Sequence, residues 1–172
     1  KGSVWRHSRQ PFMENCMARI IKNGEIVADP WCLLAAGAEA LGTVTVIKPQ
    51  LLLPLARWAQ ELESLENAGY TVGVWLAPDD APEALIPRLA QIPVIAIQFP
   101  SFTDGRGYSL ARLLRQRYGF RGELRAFGDI LRDQIYFLHQ CGFNVFCLRP
   151  DQDIEAAVAA LEDYSWSPVA GR

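Results

Sequence analysis

Short apolar runs alternate with stretches of helical period along most of this 172-residue chain. Near the start, Ile20 and Ile21 precede Asn23-Gly24 and Ile26 and Val27 follow it. Asn-Gly tolerates the positive φ of a type I′ turn, so the segment predicts an antiparallel hairpin. The β-branched run TVTVI (43–47) predicts a strand, and residues 54–68 then place Leu55, Trp58, Leu62 and Leu65 on one helical face. Further strands are predicted by VGVWLAP (72–78), PVIAIQF (93–99), ELRAF (123–127) and NVFCL (144–148). Asp80 and Glu83, with Pro82 between them, read as a capping box that opens a helix through Ala90. Leu110, Leu113 and Leu114 mark a helix over 109–118, leaving Arg112, Arg115 and Gln116 toward solvent. Leu131, Ile135 and Leu138 mark another, and Ile154, Val158 and Leu161 a last one that Asp151 can cap.

Three helix-to-strand junctions share one device: Gly69-Tyr70, Gly119-Phe120 and Gly142-Phe143. Glycine supplies the left-handed helix end and the aromatic covers it, so one β/α unit is used repeatedly. Strands beginning near 72, 94, 123 and 144 are 22, 29 and 21 residues apart, a spacing that favours parallel crossovers. The fold class expected is α/β: a mostly parallel sheet of about five strands covered by helices, opened by the hairpin, with a half-barrel of β/α units as the alternative. A complete eight-fold β/α barrel typically needs about 250 residues and is excluded by length. Residues 1–16 lack any period and read as a leader, 17–165 as one domain, and 166–172 as a tail.

Composition narrows the partners. With a formal net charge of −2, the molecule as a whole has no field that gathers nucleic acid or an anionic membrane. Cys16, Cys32, Cys141 and Cys147 form no CxxC pair, and the two histidines, His7 and His139, leave a metal site few ligands. No apolar stretch has the length and flanks of a signal or membrane span, so a reduced, cytoplasmic protein is expected. Cys141 and Cys147 read as small buried hydrophobes, with a redox pair as the alternative. His139 reads as a surface histidine near a helix end.

In a parallel α/β sheet the ligand site lies beyond the carboxyl ends of the strands. The longest interval places its extra residues there, as SFTDGRGYS (101–109). Asp104, Gly105, Arg106, Gly107, Tyr108 and Ser109 have the parts of an anion cradle: glycines that open the backbone, a helix start and a guanidinium fork. The bland alternative is a turn in which Asp104 and Arg106 pair locally. Gly105 and Gly107 lack the third glycine of a dinucleotide fingerprint, and no Gly-Lys-Ser/Thr follows. Asp129 and Arg149 stand at the next strand ends, Asp129 serving as a helix cap or as a site carboxylate. Six arginines (106, 112, 115, 117, 121, 125) face only two acids, Asp104 and Glu123, between positions 104 and 125. They read as a solvated basic face or as a docking face for an acidic partner or anionic cofactor. No aromatics interleave with them as base-stacking positions, which argues against nucleic acid.

The run FPSFTDGRGYSLARLLRQRYGFRGELRAFGDILRDQIYFLHQCGF (99–143) resembles the signature of the bacterial family called domain of unknown function 934, and RIIKNG and DPW extend the likeness toward the amino terminus. Asp104 to Ser109, Arg125, Gly128, Asp129, Asp133 and Gln134 match its motif positions. The family is described as oxidoreductases involved in sulfite reduction, an association drawn from neighbouring sulfite reductase genes. The resemblance therefore implies a role in assimilatory sulfur metabolism, with sulfite reductase or an anionic small molecule as partner. It brings no catalytic residues and no cofactor. The alternatives are an oxidoreductase using a diffusible nicotinamide or flavin, and a non-catalytic interaction module.

Overall fold

The structure, a computed structural model, describes residues 19–37 and 50–162. The leader, the tail, His7, Cys16 and the strand expected over 43–47 lie outside the described residues. The hairpin forms as β1 (Arg19–Lys22) and β2 (Glu25–Ala28), turning through Asn23 at φ 51° and Gly24 at φ 87°. There follow β3 (Cys32–Leu33), β4 (Gln50–Pro54), α1 (Leu55–Asn67), β5 (Thr71–Leu76), a 3-10 segment (Pro82–Gln91) and β6 (Val94–Phe99). The chain continues through α2 (Arg106–Arg112), a wide-turned π segment (Leu113–Arg117), β7 (Glu123–Gly128), α3 (Ile135–Gln140), β8 (Val145–Phe146) and α4 (Ile154–Glu162). Gly69, Gly119 and Gly142 all take the positive φ expected at the junctions.

One sheet joins the strands in the order β2-β1-β8-β7-β6-β5-β4-β3. From β3 to β8 every pairing is parallel, and β1 runs antiparallel to both β2 and β8. Each parallel strand lies beside its predecessor, so the order never reverses and the helices gather on one face. The mostly parallel sheet and its opening hairpin are as expected, with eight strands among the described residues in place of about five, and the sheet curls into a half-barrel, the alternative architecture. Val72, Val74, Leu76, Ile95, Ile97, Phe99, Leu124 and Ala126 point to the helices, where Trp58, Leu62 and Leu65 of α1 meet them. Fully burying each such side chain is worth about 1.5–3 kcal/mol.

The inner face is closed by the chain itself. β2 lies at one edge of the sheet and β3 at the other, so residues 29–31 cross between them. Trp31 packs there with Leu52, Trp75, Val94 and Ala96, and the Trp75 indole N–H donates to Leu34 O at 2.8 Å. Asp29 anchors the crossing: both its oxygens accept from Arg125 Nη1 of β7, at 2.9 and 2.7 Å, and its Oδ1 accepts the Trp31 N–H at 3.0 Å. Arg125 reaches back to Glu123 through Nη2 at 2.7 Å, and Lys22 neutralises the other Glu123 oxygen at 2.9 Å. Burial on both faces explains why these strands read as unbroken apolar runs.

Several expectations need correction. No capping box forms at Asp80: its carboxylate accepts the Ala77 N–H, Glu83 accepts the Tyr118 hydroxyl, and Pro82–Gln91 is a 3-10 segment interrupted by Pro87. Asp153, not Asp151, caps α4, by accepting the Ala156 N–H at 2.9 Å. β3 and β4 fall where no strand is expected, because Gln50–Pro54 lacks the β-branched residues that mark the other strands. His139 is buried in the last turn of α3 rather than exposed. Cys141 packs among the helices whereas the Cys147 thiol lies beside Arg125 on the inner face, so the sheet separates them and they form no redox pair.

Candidate functional site

Asp129 and Arg149 meet in a cleft of about 780 Å³ at the carboxyl ends of β6, β7 and β8, lined also by Gln98, Phe99, Pro100, Gly128, Pro150 and Asp151. The strand ends explain the placement. A Cβ on Gly128 would sit 2.3 Å from Phe99 O, and without it the two strands close enough for Asp129 N–H to donate to that oxygen at 2.7 Å. Asp129 is then turned outward and is not a helix cap: its Oδ2 accepts the Phe102 N–H at 2.9 Å and its Oδ1 accepts Arg149 Nη1 at 2.8 Å. The Arg149 Nε and Nη2 both donate to Asp151, each at 2.6 Å. Asp151 and Asp129 raise the Arg149 pKa above its ordinary value, and the Arg149 fork holds the Asp151 carboxyl below the usual carboxylate range. Arg149 has five N–H donors and spends three here, leaving two with no acceptor among the described residues.

The loop after β6 repeats the device. Arg106 donates through Nε and Nη2 to Asp104 at 3.0 and 2.6 Å and through Nη1 to Asp79 at 2.5 Å. The Arg106 side chain, seconded by its backbone N–H, pulls the Asp104 carboxyl down to about 2. Gly105 starts α2 in ordinary helical geometry, and Gly107 is required by packing, since a Cβ there would meet the Phe99 ring at 2.5 Å. Tyr108 leans edge-on against Phe99 and accepts from Gln134 Nε2 at 3.1 Å; burial raises its phenol pKa. Ser109 is exposed on α2. The structure thus brings Asp129 and Arg149 together, whereas Asp104, Arg106 and Asp79 make a neighbouring cluster and Gly107 and Tyr108 serve to seat the helix. Four carboxylates (Asp79, Asp104, Asp129, Asp151) surround two guanidiniums at this end, a surplus of negative charge that the sequence segment 104–125 alone does not suggest.

The basic run divides by chemistry. Arg106 and Arg125 are held by carboxylates, and Arg115 is half-buried, donating to the carbonyls of Gly142, Phe120 and Gly122 at 2.8–2.9 Å. Burial lowers the Arg115 pKa to about 10, which leaves it charged at neutral pH. Its departure from the expected solvent side follows from the wide turn, in which Tyr118 N–H reaches back to Leu113 O. Among the described residues no three metal-ligating side chains come together, and no helix is long and apolar enough to cross a membrane.

A family model described as "Bacterial protein of unknown function (DUF934)" matches residues 73–167, more than half of the chain. The chain belongs to the DUF934 family. No curated protein matches it. The matched range of this DUF934 protein holds every residue that lines the cleft, while the hairpin and the Asp29–Trp31 crossing precede it. Asp151 and Gln98 of the site were not anticipated. Asp151 could have been noticed as an acid two residues from Arg149, but Gln98 carries no signal beyond its place near a strand end.

Proposed function

We propose that this DUF934 protein is an accessory of assimilatory sulfite reduction, binding an anionic small molecule in the cleft at the carboxyl ends of β6–β8. One observation carries the reading: Arg149 stands in the cleft with two N–H donors to spare, fixed from one side by Asp129 and covered from the other by Asp151. Asp129 is also tied to the Phe102 backbone, whereas Asp151 is 57% exposed and stands two residues from its arginine in sequence. The trio carries one surplus negative charge, so an oxyanion that reaches the two spare N–H groups competes with Asp151 for the guanidinium. Sulfur oxyanions are the class we assign to the cleft, following the role in sulfite reduction that the resemblance implies.

Calorimetric titration of sulfite and sulfate tests this. Saturable binding is expected, abolished by Arg149→Ala and strengthened several-fold by Asp151→Asn, which removes the competing carboxylate. No binding to either variant or parent, or an Asp151→Asn variant that binds more weakly, overturns the reading. Bands between roughly 350 and 450 nm in the purified protein would replace it with a flavin oxidoreductase.

A further inference from the structure

Arg106 and Arg125 of the basic run are held by carboxylates and Arg115 by backbone carbonyls, whereas Arg112, Arg117 and Arg121 are exposed and form no ion pair among the described residues. Two of them, Arg117 and Arg121, flank a groove of about 590 Å³ at the amino-terminal end of the sheet, opposite the Arg149 cleft. Its floor is apolar: Leu89 and Ile92 come from the chain entering β6, Phe120 from the chain entering β7. Ile86 stands at the rim, 45% exposed. Glu83 accepts the Tyr118 hydroxyl at 2.8 Å and keeps its negative charge within reach of Arg117, whose guanidinium lies 5.9 Å from the Tyr118 ring centroid. Arg115 is turned inward to its three carbonyls and adds positive charge beneath. In a chain of net charge −2, this is an apolar trough flanked by two exposed cations, of which Arg117 shares its field with Glu83 and Arg121 forms no ion pair among the described residues.

We propose that this groove docks a short acidic peptide segment of a partner protein, apolar side chains entering the trough while carboxylates pair with Arg117 and Arg121. Sign and shape choose this occupant. Arginine forks match carboxylates, and an apolar floor with a charged rim is the anatomy of a peptide-binding interface. A nucleic acid would need more phosphate contacts and aromatic faces open for stacking, but Phe120 is 3% exposed. A membrane would need a broader apolar rim than Ile86 supplies.

The test is selection of random dodecapeptides from a display library on the folded protein, followed by fluorescence anisotropy with the enriched sequences. Enriched peptides combine Asp or Glu with Leu, Ile or Phe. Binding falls about tenfold or more in Arg117→Glu/Arg121→Glu, whose exposed side chains leave near-ultraviolet circular dichroism unchanged. Ile86→Ser weakens binding without altering its salt dependence. The proposal is overturned by an absence of enrichment, by neutral or basic consensus peptides, or by a charge-reversed protein that binds as well as the parent. Binding of phosphatidylglycerol vesicles or a single-stranded oligonucleotide through the same two arginines, with acidic peptides excluded, overturns it in favour of those ligands.

Discussion

Removing the Asp29 carboxylate should unfasten the crossing over the inner face. Asp29→Ala deletes two acceptors of Arg125 Nη1 and the acceptor of the Trp31 N–H, leaving a guanidinium that is 2% exposed with Glu123 as its remaining carboxylate. Breaking a buried ion pair from one side costs about 3–5 kcal/mol. Glu123 stays in place and Lys22 balances it, which puts the cost near the lower end, about 3 kcal/mol. With a urea m-value of about 2 kcal/mol/M the unfolding midpoint falls by roughly 1.5 M. At about 2–4 °C per kcal/mol the melting temperature falls by roughly 6–12 °C. Urea titration followed by tryptophan fluorescence reads the loss. The double variant Asp29→Leu/Arg125→Met removes the pair together and should recover most of the loss, since burying neither charge avoids both desolvation costs. A midpoint shift of less than about 0.3 M for Asp29→Ala, or a double variant as unstable as the sum of the two singles, would refute the reasoning.

Asp104 should titrate near 2, and in Arg106→Ala its midpoint should return toward the ordinary carboxylate value of 3.8, as read by carbon-detected NMR. A folded pKa depressed in this way contributes stability that is complete above about pH 4 and is lost as pH falls through about 2. An Asp104 midpoint unmoved by Arg106→Ala would show that the pairing is absent in solution. Burial pushes the Cys147 thiol up to about 12, against the pull of Arg125, so at pH 8 native Cys147 should alkylate with iodoacetamide roughly a thousandfold more slowly than in urea. Mass spectrometry of the modified peptide checks this, and native labelling within tenfold of the unfolded rate contradicts it.

The candidate site was legible in part. Strand ends can be read from where apolar runs stop, so the sequence places Asp129 and Arg149 at the same sheet edge, where both line the cleft. The 101–109 insertion is marked in sequence by its glycines, yet Gly107 is there to admit the Phe99 ring, and Arg106 is engaged by two carboxylates. One of those, Asp79, is 27 residues away in sequence, beyond the reach of any local pattern. The same limit applies to the Arg125–Asp29 pair, 96 residues apart, and to the Arg115–Gly142 contact, 27 apart, whereas the other Arg115 carbonyls, Phe120 and Gly122, lie close in sequence and are reached only through the wide turn.

Local patterns determined the elements themselves: the Asn-Gly hairpin, the three glycine-aromatic junctions, the apolar face of α1 and the runs that became β5 to β7. These depend on backbone preferences and on period, which neighbouring residues encode. Only the tertiary structure decided that strands follow one another in unbroken order, that residues 29–31 cross the inner face, and which arginines of a uniform basic run end in ion pairs, on carbonyls or beside an exposed groove. Pairing of charges and closure of a sheet depend on distances between segments far apart in the chain. A guanidinium is the same in sequence whether it meets a carboxylate, a carbonyl or water; its surroundings after folding separate a strut from a binding surface.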